Sequence, residues 1–415
     1  MKPSLAGLYR ACVAAAAAGV LVAPAVAGPA YGAADPARST HTALASPPSS
    51  SSSSDTDFAR LTPAVAAKLD TAVRRTMDEA RVPGVIVGLW APGKGSYVRA
   101  FGVADKTTGA PMRPDLHVRI GSETKTFTVT ALLRLVDRGK AGLDDAIGRY
   151  VSGVPNGDRI TLRQLAEMRS GLYNYSEDAG FDKALFAHPE RPFTPRQLLD
   201  YSFRHPVGFA PGAKFEYCNT NLILLGLVVE KVTGRPLREV IEQDVLKPAG
   251  LRRTLFPTGA EFPAPHPHGY TEQPASGKIV DATHWNPSWA WAAGAMISDM
   301  RDLRSWAHAL ATGTLLTRAT QAERLKALPT GIPHAGYGLG IFDVNGWIGH
   351  NGSLPGYESL TVYLPQARAT LVVLLNTDVL HKGQEPSTLL GQAVTRIVSP
   401  GHVYPGHKLS VTRGR

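Results

Sequence analysis

The stretch Ser122-Glu123-Thr124-Lys125 decides the fold of this 415-residue chain, because it opens a helical pattern that continues to about Arg138. The apolar positions of that pattern are Phe127, Val129, Leu132, Leu133, Leu135 and Val136. Residues three positions apart share one side of a helix, so Ser122 and Lys125 are expected to be neighbours. Ser122 also stands at the first turn, where backbone N–H groups lack partners within the helix. The stretch therefore predicts an apolar helix with a serine beside a lysine at its N-terminus.

A serine and a lysine at this spacing can act as a nucleophile and its base. A serine hydroxyl is a poor nucleophile until a base takes its proton, and a lysine shielded from water can lose its charge and become that base. Ser122 is thus the candidate nucleophile and Lys125 the candidate base. The four-residue motif alone is also compatible with a helix cap followed by a solvated lysine.

The segment Tyr217-Cys218-Asn219 precedes a second apolar helical pattern, which begins at Asn221. A phenol close to lysine ammonium groups can have its pKa lowered and can shuttle protons, so Tyr217 is a candidate acid–base residue. The side chain of Asn219 can donate to a substrate amide carbonyl and hold Lys125. The alternative is a half-buried tyrosine at a helix entry with Asn219 as the N-cap.

The segment His350-Asn351-Gly352 lies on a predicted strand. His350 is expected to orient groups in the site and assist electrostatically, and Asn351 to contact the substrate. Gly352 would let a substrate backbone approach the strand closely. The backbone N–H of Ser353 could face that of Ser122, so that the two form an oxyanion hole. A second His-x-Gly segment, at residues 381–383, follows a strand and is expected to be a loop.

The remaining patterns predict an α+β fold. Thr62-Pro63 marks the start of a first helix, and β-rich runs at 85–90 and 97–103 predict a hairpin. Helical patterns then dominate at 162–168, 195–201, 221–232 and 237–246. Strand patterns return at 347–350, 359–364 and 370–376, before a last helix at about 387–398. Strands at both ends thus enclose a large, mostly helical insert, which predicts one antiparallel sheet flanked by helices.

The chain divides by composition into four parts. Residues 1–27 are typical of a signal peptide, and residues 28–57 form a Ser/Pro/Ala-rich linker. Residues 58–400 are the predicted catalytic domain, and residues 401–415 a basic C-terminal tail. We therefore expect a secreted monomer, located outside the cell or in the cell wall and not inserted in the membrane. Removal of the signal peptide would leave Cys218 as the one cysteine, so no intrachain disulfide could form.

Several other functional classes are disfavoured. The net charge of +10 is spread without a dense cluster of Lys and Arg, which argues against nucleic acid as the partner. The Gly-x-Ser-x-Gly string of α/β-hydrolases is absent from the sequence. His266 and His268 lie in a Pro-rich stretch without the His-Glu-x-x-His pattern of zinc enzymes. We expect neither a metal nor another cofactor.

The three motifs, in the order Ser122, Tyr217 and His350, resemble those of the serine penicillin-recognising superfamily. This superfamily includes class C β-lactamases, secreted D-alanyl-D-alanine carboxypeptidases and related esterases. A third motif that begins with histidine is similar to the His-Thr-Gly of the carboxypeptidase branch. Three further segments resemble that branch, and the second of them adds Trp289 as a substrate-lining residue: residues 169–175, Ser288-Trp289-Ala290 ahead of residues 293–295, and the strand Tyr337-Gly338-Leu339-Gly340.

The resemblance, which covers roughly residues 60–400, implies a carboxypeptidase that acts on peptidoglycan stem peptides through an acyl-enzyme and is inhibited by β-lactams. The alternatives are an esterase, a D-amino-acid amidase or a β-lactamase of the same superfamily and, more remotely, a non-catalytic cell-wall-binding protein. The chain departs from the pattern at Cys218, where serine is usual, and at Asn351, where threonine is usual. The strand after Gly340 lacks the arginine with which these carboxypeptidases hold the substrate carboxylate. Specificity for a free C-terminal carboxylate is thus the least supported part of the implied function.

Overall fold

The computed structural model describes residues 57–274 and 276–406. The predicted signal peptide and almost all of the predicted linker lie outside the described residues, as does the end of the tail. Residues 401–406 lie against the domain, where the Tyr404 side chain is buried and its backbone N–H donates to Thr395 Oγ1 over 2.8 Å. No helix in the described part of the chain is long and apolar enough to cross a bilayer.

The architecture is the predicted α+β arrangement. The helices are α1 (Pro63–Ala80), α2 (Thr124–Asp137), α3 (Leu162–Ala166), α4 (Ala179–Ala187), α5 (Pro195–Phe203), α6 (Asn219–Thr233), α7 (Leu237–Ile241), α8 (Trp291–Gly294), α9 (Met300–Thr312), α10 (Arg318–Arg324) and α11 (Pro386–Val398). The strands are β1 (Gly84–Ala91), β2 (Gly95–Gly102), β3 (Val118–Arg119), β4 (Tyr270–Gln273), β5 (Lys278–Asp281), β6 (Ile297–Ser298), β7 (Leu328–Pro329), β8 (Ala335–Tyr337), β9 (Phe342–Val344), β10 (Trp347–Leu354), β11 (Tyr357–Leu364) and β12 (Ala369–Leu375).

One eight-stranded antiparallel sheet has the order β2-β1-β12-β11-β10-β9-β8-β7. The β1–β2 hairpin pairs with β12, a strand from the other end of the chain. In this pairing Val85 of β1 lies opposite Leu375 of β12. Every residue of β11 and β12 is buried, because helices cover both faces of the sheet. Leu360 faces Gly391 of α11, whereas Tyr363 on the opposite face packs against Ala307 and Ala311 of α9. The predicted sheet built from distant segments is confirmed.

Local signals account for most of the helix and strand boundaries. Helix α1 begins as expected, because the Thr62 hydroxyl accepts from the Val65 N–H and Pro63 fits the first turn. The strand expected at residues 337–340 is wrong beyond Tyr337, where β8 ends. Gly340 has a φ of +70°, and a Cβ there would stand 2.6 Å from the Val129 side chain, so the chain turns over α2 instead.

Candidate active site

Ser122 and Lys125 come together at the start of α2. A short 3₁₀ turn, Gly121–Glu123, precedes the helix and leaves Ser122 partly exposed, while the Lys125 side chain is completely buried. Lys125 Nζ lies 2.9 Å from Ser122 Oγ and donates to the carbonyl oxygen of Ala293 over 2.8 Å. The start of the helix thus brings Ser122 and Lys125 together, and the Ala293 carbonyl of α8 orients the Lys125 side chain.

The burial of Lys125 determines its charge. Desolvation lowers the pKa of this amine well below its usual value of 10.5, because the cation loses its hydration. A neutral amine has a lone pair that can accept a proton from a hydroxyl at hydrogen-bond distance. The predicted neighbourhood of Ser122 and Lys125 is confirmed, and the two atoms lie at a distance that allows proton transfer.

Tyr217 lies over Lys125, with Lys125 Nζ 4.9 Å from the centre of its ring. The ring also packs against Tyr337, Phe342 and His350. Burial raises the pKa of the phenol above 10, although Ser122 acts in the opposite direction. The expectation of a lowered pKa for Tyr217 is thus wrong, because its neighbours exclude water from the phenol. The buried hydroxyl has no hydrogen-bond partner among the described residues, and it keeps its proton.

His350 is a neutral side chain held by two hydrogen bonds. Its Nδ1 lies 2.5 Å from the carbonyl oxygen of Asn351, and its Nε2 lies 3.2 Å from the Tyr337 hydroxyl. A carbonyl oxygen can only accept, so Nδ1 carries the proton and Nε2 accepts from Tyr337. Burial, with Lys125 as a lesser cause, lowers the pKa of His350 to about 3. The histidine therefore brings no positive charge to the site at neutral pH.

The nucleophile turn lies directly against the backbone of β10. A Cβ on Gly352 would stand 1.9 Å from the carbonyl oxygen of Ile120, and a Cβ on Gly121 would stand 2.5 Å from the Ser353 nitrogen. The sequence predicted that a substrate backbone would approach Gly352, but the group that does so in the structure is the Ile120 carbonyl. Gly121 also has a φ of +52°, which favours glycine.

The register of β10 directs the Ser353 N–H outward. The two-residue turn after Leu354 makes Leu354 and Tyr357 the hydrogen-bonded pair, so in the next pair Ser353 and Glu358 point their N–H groups away from each other. The opposite edge of β10 is paired with β9 only as far as Gly349. The Ser353 N–H therefore lies on an open edge beside Ser122, as an oxyanion hole requires.

For three of the expected site residues, the hydrogen bonds and ring contacts described below are to residues outside this group. The side chain of Asn219 donates to Ser176 Oγ over 3.0 Å and has no hydrogen bond to Lys125. Asn351 is fully buried and donates to Glu385 Oε2 over 2.7 Å, and the alternation of the strand sends its side chain to the face opposite His350. Trp289 is half-buried, with its carbonyl oxygen accepting from the Tyr175 hydroxyl over 2.7 Å and its ring 5.8 Å from that of Phe181.

Sequence reasoning missed three contributors. Ala293 holds Lys125 through a carbonyl oxygen, a role that no side-chain motif could reveal. Tyr337 was recognised only as part of a family segment, although its hydroxyl orients His350. Glu123 lies inside the motif and is 2% exposed, and an acid at the start of an apolar helix was a signal that could have been used. Among the described residues, no group of three His, Cys, Asp or Glu side chains is arranged to hold a metal.

The chain is similar to known proteins over this whole region. The Beta-lactamase family model matches residues 69–394. A D-stereospecific amidohydrolase from Streptomyces sp. has a similar structure, with a TM-score of 0.70 and 34% identity over 75% of this chain and 94% of that one. A D-amino acid amidase from Ochrobactrum anthropi SV3 gives a TM-score of 0.69 and 29% identity over 80% and 98% of the two chains.

A curated relative, a D-aminopeptidase from Brucella anthropi, is 29% identical over 320 residues, which are 75% of this chain and 59% of the relative. The chain spans about three fifths of the length of the curated relatives of this kind that it matches. The similarity includes the α2 helix, the helical insert and the sheet that together bring Ser122, Lys125 and His350 into one site. The chain belongs to the beta-lactamase family.

Proposed function

We propose that this protein hydrolyses amides or esters of D-amino acids through an acyl-enzyme on Ser122. The observation that carries the proposal is the neutrality of the site. Burial lowers the pKa values of both Lys125 and His350, which disfavours the cationic forms that would hold a free carboxylate. A carboxylate is normally bound by charge-assisted donors. A substrate with a neutral leaving group fits these residues better.

Acylation follows from the contacts around Ser122. Lys125 takes the hydroxyl proton across 2.9 Å while Ser122 Oγ attacks the substrate carbonyl carbon. The backbone N–H groups of Ser122 and Ser353 stabilise the negative charge that develops on the carbonyl oxygen. The protonated Tyr217 then gives its proton to the leaving amine or alkoxide and is reprotonated from Lys125. Water repeats the same steps on the acyl-enzyme and restores the Ser122 hydroxyl.

The relatives support this choice of substrate class, since those described above are a D-stereospecific amidohydrolase, a D-amino acid amidase and a D-aminopeptidase. The second candidate is the D-alanyl-D-alanine carboxypeptidase expected from the sequence, which the histidine-first motif at His350 favours. The signal-like residues 1–27 support export, so the proposed site of action is the cell exterior or the cell wall, and the proposed natural acyl donors are peptidoglycan fragments.

The test compares kcat/KM for D-alanine amide, L-alanine amide and acetyl-D-alanyl-D-alanine. We expect D-alanine amide to exceed both others by about tenfold or more, which corresponds to one charge-assisted bond lost or gained. Ser122→Ala is the control and should be inactive on all three. If acetyl-D-alanyl-D-alanine is the best substrate, the carboxypeptidase replaces our proposal. If the parent protein turns over none of these and forms no acyl adduct, the chain is not an active hydrolase of this class.

A further inference from the structure

Glu123, between the nucleophile and its base in sequence, has no part in the steps above. Its side chain is only 2% exposed, so it does not face the substrate as Ser122 does. The carboxyl group faces the hydroxyls of Ser359 and Thr361 on β11. Thr361 is the cross-strand partner of His350, so this carboxyl lies between the nucleophile turn and the strand that carries the histidine.

Glu123 is buried without an ion pair among the described residues. Glu123 Oε1 and Thr361 Oγ1 are both buried, and neither has a hydrogen-bond partner among the described residues. Ser359 cannot serve both sides, because its hydroxyl donates to the carbonyl oxygen of Ile120 over 2.9 Å. The Thr361 hydroxyl can donate to either form of the carboxyl, but a carboxylate ion here would be a buried charge without a cation, whereas a carboxylic acid is neutral and can itself donate.

We propose that Glu123 is a positioning residue that works as a neutral acid, binding the Ser122 turn to Ser359 and Thr361 on β11. Its proton keeps the turn against β10 and keeps negative charge away from the oxyanion hole. Loss of that proton would put a buried anion one residue from Ser122, where it opposes the charge that develops during acylation. This inference rests on the proposed role of Ser122.

The surroundings of Glu123 are consistent with a neutral acid. Burial raises the pKa of Glu123 to about 8, against a lesser effect of Ser359 and Thr361. Ionisable side chains on the elements packed around the turn, and on the nearby C-terminal segment, are Lys125 on α2, with Arg134 and Asp137 near the far end of that helix, His350 on β10, Tyr357, Glu358 and Tyr363 on β11, and Tyr404. Burial lowers the pKa of Lys125 and His350, and it raises the pKa of Tyr357, Glu358 and Tyr404. None of these shifts gives Glu123 a charged partner at neutral pH.

The experiment is the pH profile of kcat/KM for the best acyl donor in the parent, Glu123→Gln and Glu123→Ala. We expect the parent rate to fall about tenfold per pH unit above about pH 8. Glu123→Gln keeps a neutral donor, so it should match the parent within about threefold at pH 7 and lose the alkaline fall. Glu123→Ala lacks the donor and should be at least about tenfold slower at all pH values.

The matched control is Glu358→Gln. Glu358 is a buried acid on β11, the strand that carries Ser359 and Thr361, but it lies on the face toward α11, where its Oε2 accepts from the Ser387 N–H. This variant should keep the alkaline fall. An alkaline fall that persists in Glu123→Gln, or that disappears in Glu358→Gln instead, overturns the proposal. The pH dependence of unfolding gives a second readout that needs no substrate. As the pH rises from about 5 to 8, the parent should lose stability relative to Glu123→Gln, because Glu123 ionises in the unfolded parent but not in the folded one. Parallel plots of unfolding free energy against pH for the two proteins would overturn the proposal, even if the protein is inactive.

Discussion

The nitrogen of Ser353 occupies the space that a side chain on Gly121 would need, since a Cβ at Gly121 would lie 2.5 Å from it. The turn that carries the nucleophile and the strand that carries the second oxyanion donor are therefore in direct backbone contact. No flexible side chain lies between them to absorb a change. Because Gly121 also has a φ of +52°, a substitution there would both strain the turn and push the two donors apart.

Gly121→Ala should therefore reduce kcat by about 10²–10³-fold, the usual cost of losing one oxyanion donor. Gly139→Ala is the matched control, because Gly139 has a similar φ of +65° but nothing within 4 Å of a new Cβ. The control should lose some stability to backbone strain and keep its kcat. Equal loss of kcat in the two variants would show that strain, and not the contact with Ser353, is responsible.

Ser122→Ala should abolish covalent labelling by a β-lactam or an activated acyl donor. The Ser122 hydroxyl is the group within 2.9 Å of the neutral Lys125 amine, so its loss removes the nucleophile and leaves the base. Intact-protein mass spectrometry after exposure to the reagent measures the adduct. An adduct of parental stoichiometry on the alanine variant would rule out Ser122 as the nucleophile.

Tyr217→Phe should separate catalysis from stability. The Tyr217 hydroxyl is buried without a hydrogen-bond partner among the described residues, so its removal should not lower the free energy of unfolding. Acylation should nevertheless slow by about 10²–10⁴-fold, because the proton donor to the leaving group is lost. Tyr337→Phe is the comparison, since that hydroxyl bonds His350 Nε2. Acylation by Tyr217→Phe at the parental rate would remove the tyrosine from the mechanism.

Acid should destabilise the protein through His350. Its pKa is lowered from 6.5 to about 3 by burial, so between these pH values the unfolded chain binds a proton that the folded chain does not. Stability should then fall by about 1.4 kcal/mol for each pH unit of acidification in that window. His350→Gln should show a shallower dependence when unfolding by denaturant is measured from pH 7 to pH 4. Identical slopes would show that the folded protein binds this proton.

Asn351→Thr should lower stability without changing substrate preference. Threonine is usual at this position in the carboxypeptidase branch, but the Asn351 side chain faces Glu385, to which it donates over 2.7 Å. Removing the donor to this buried carboxylate should cost about 1–3 kcal/mol of unfolding free energy. The ratio of kcat/KM for acetyl-D-alanyl-D-alanine and its methyl ester should stay unchanged. A shift of about tenfold toward the free acid would contradict the placement of this side chain.

The positions of most helices and strands, and of the motif residues, could be predicted from the sequence. The pattern after Ser122 and the alternation in the last strands depend on neighbours only a few positions away, and they predict α2, β10, β11 and β12 closely. The same local rule placed Ser122 beside Lys125. The resemblance carried by three short motifs then indicated the correct family.

The pKa values of the buried site residues, and the sheet face on which each side chain lies, depend on tertiary contacts. Solvent is excluded from Lys125 and Tyr217 by segments far away in the chain, such as Ala293 and Phe342, so the rise in the pKa of Tyr217 could not be predicted from its own neighbours. Whether Asn351 or His350 faces the site depends on the phase of β10, which is set by its pairing with β11 and β9. A local pattern can predict an element, but the charge of a buried group depends on everything packed around it.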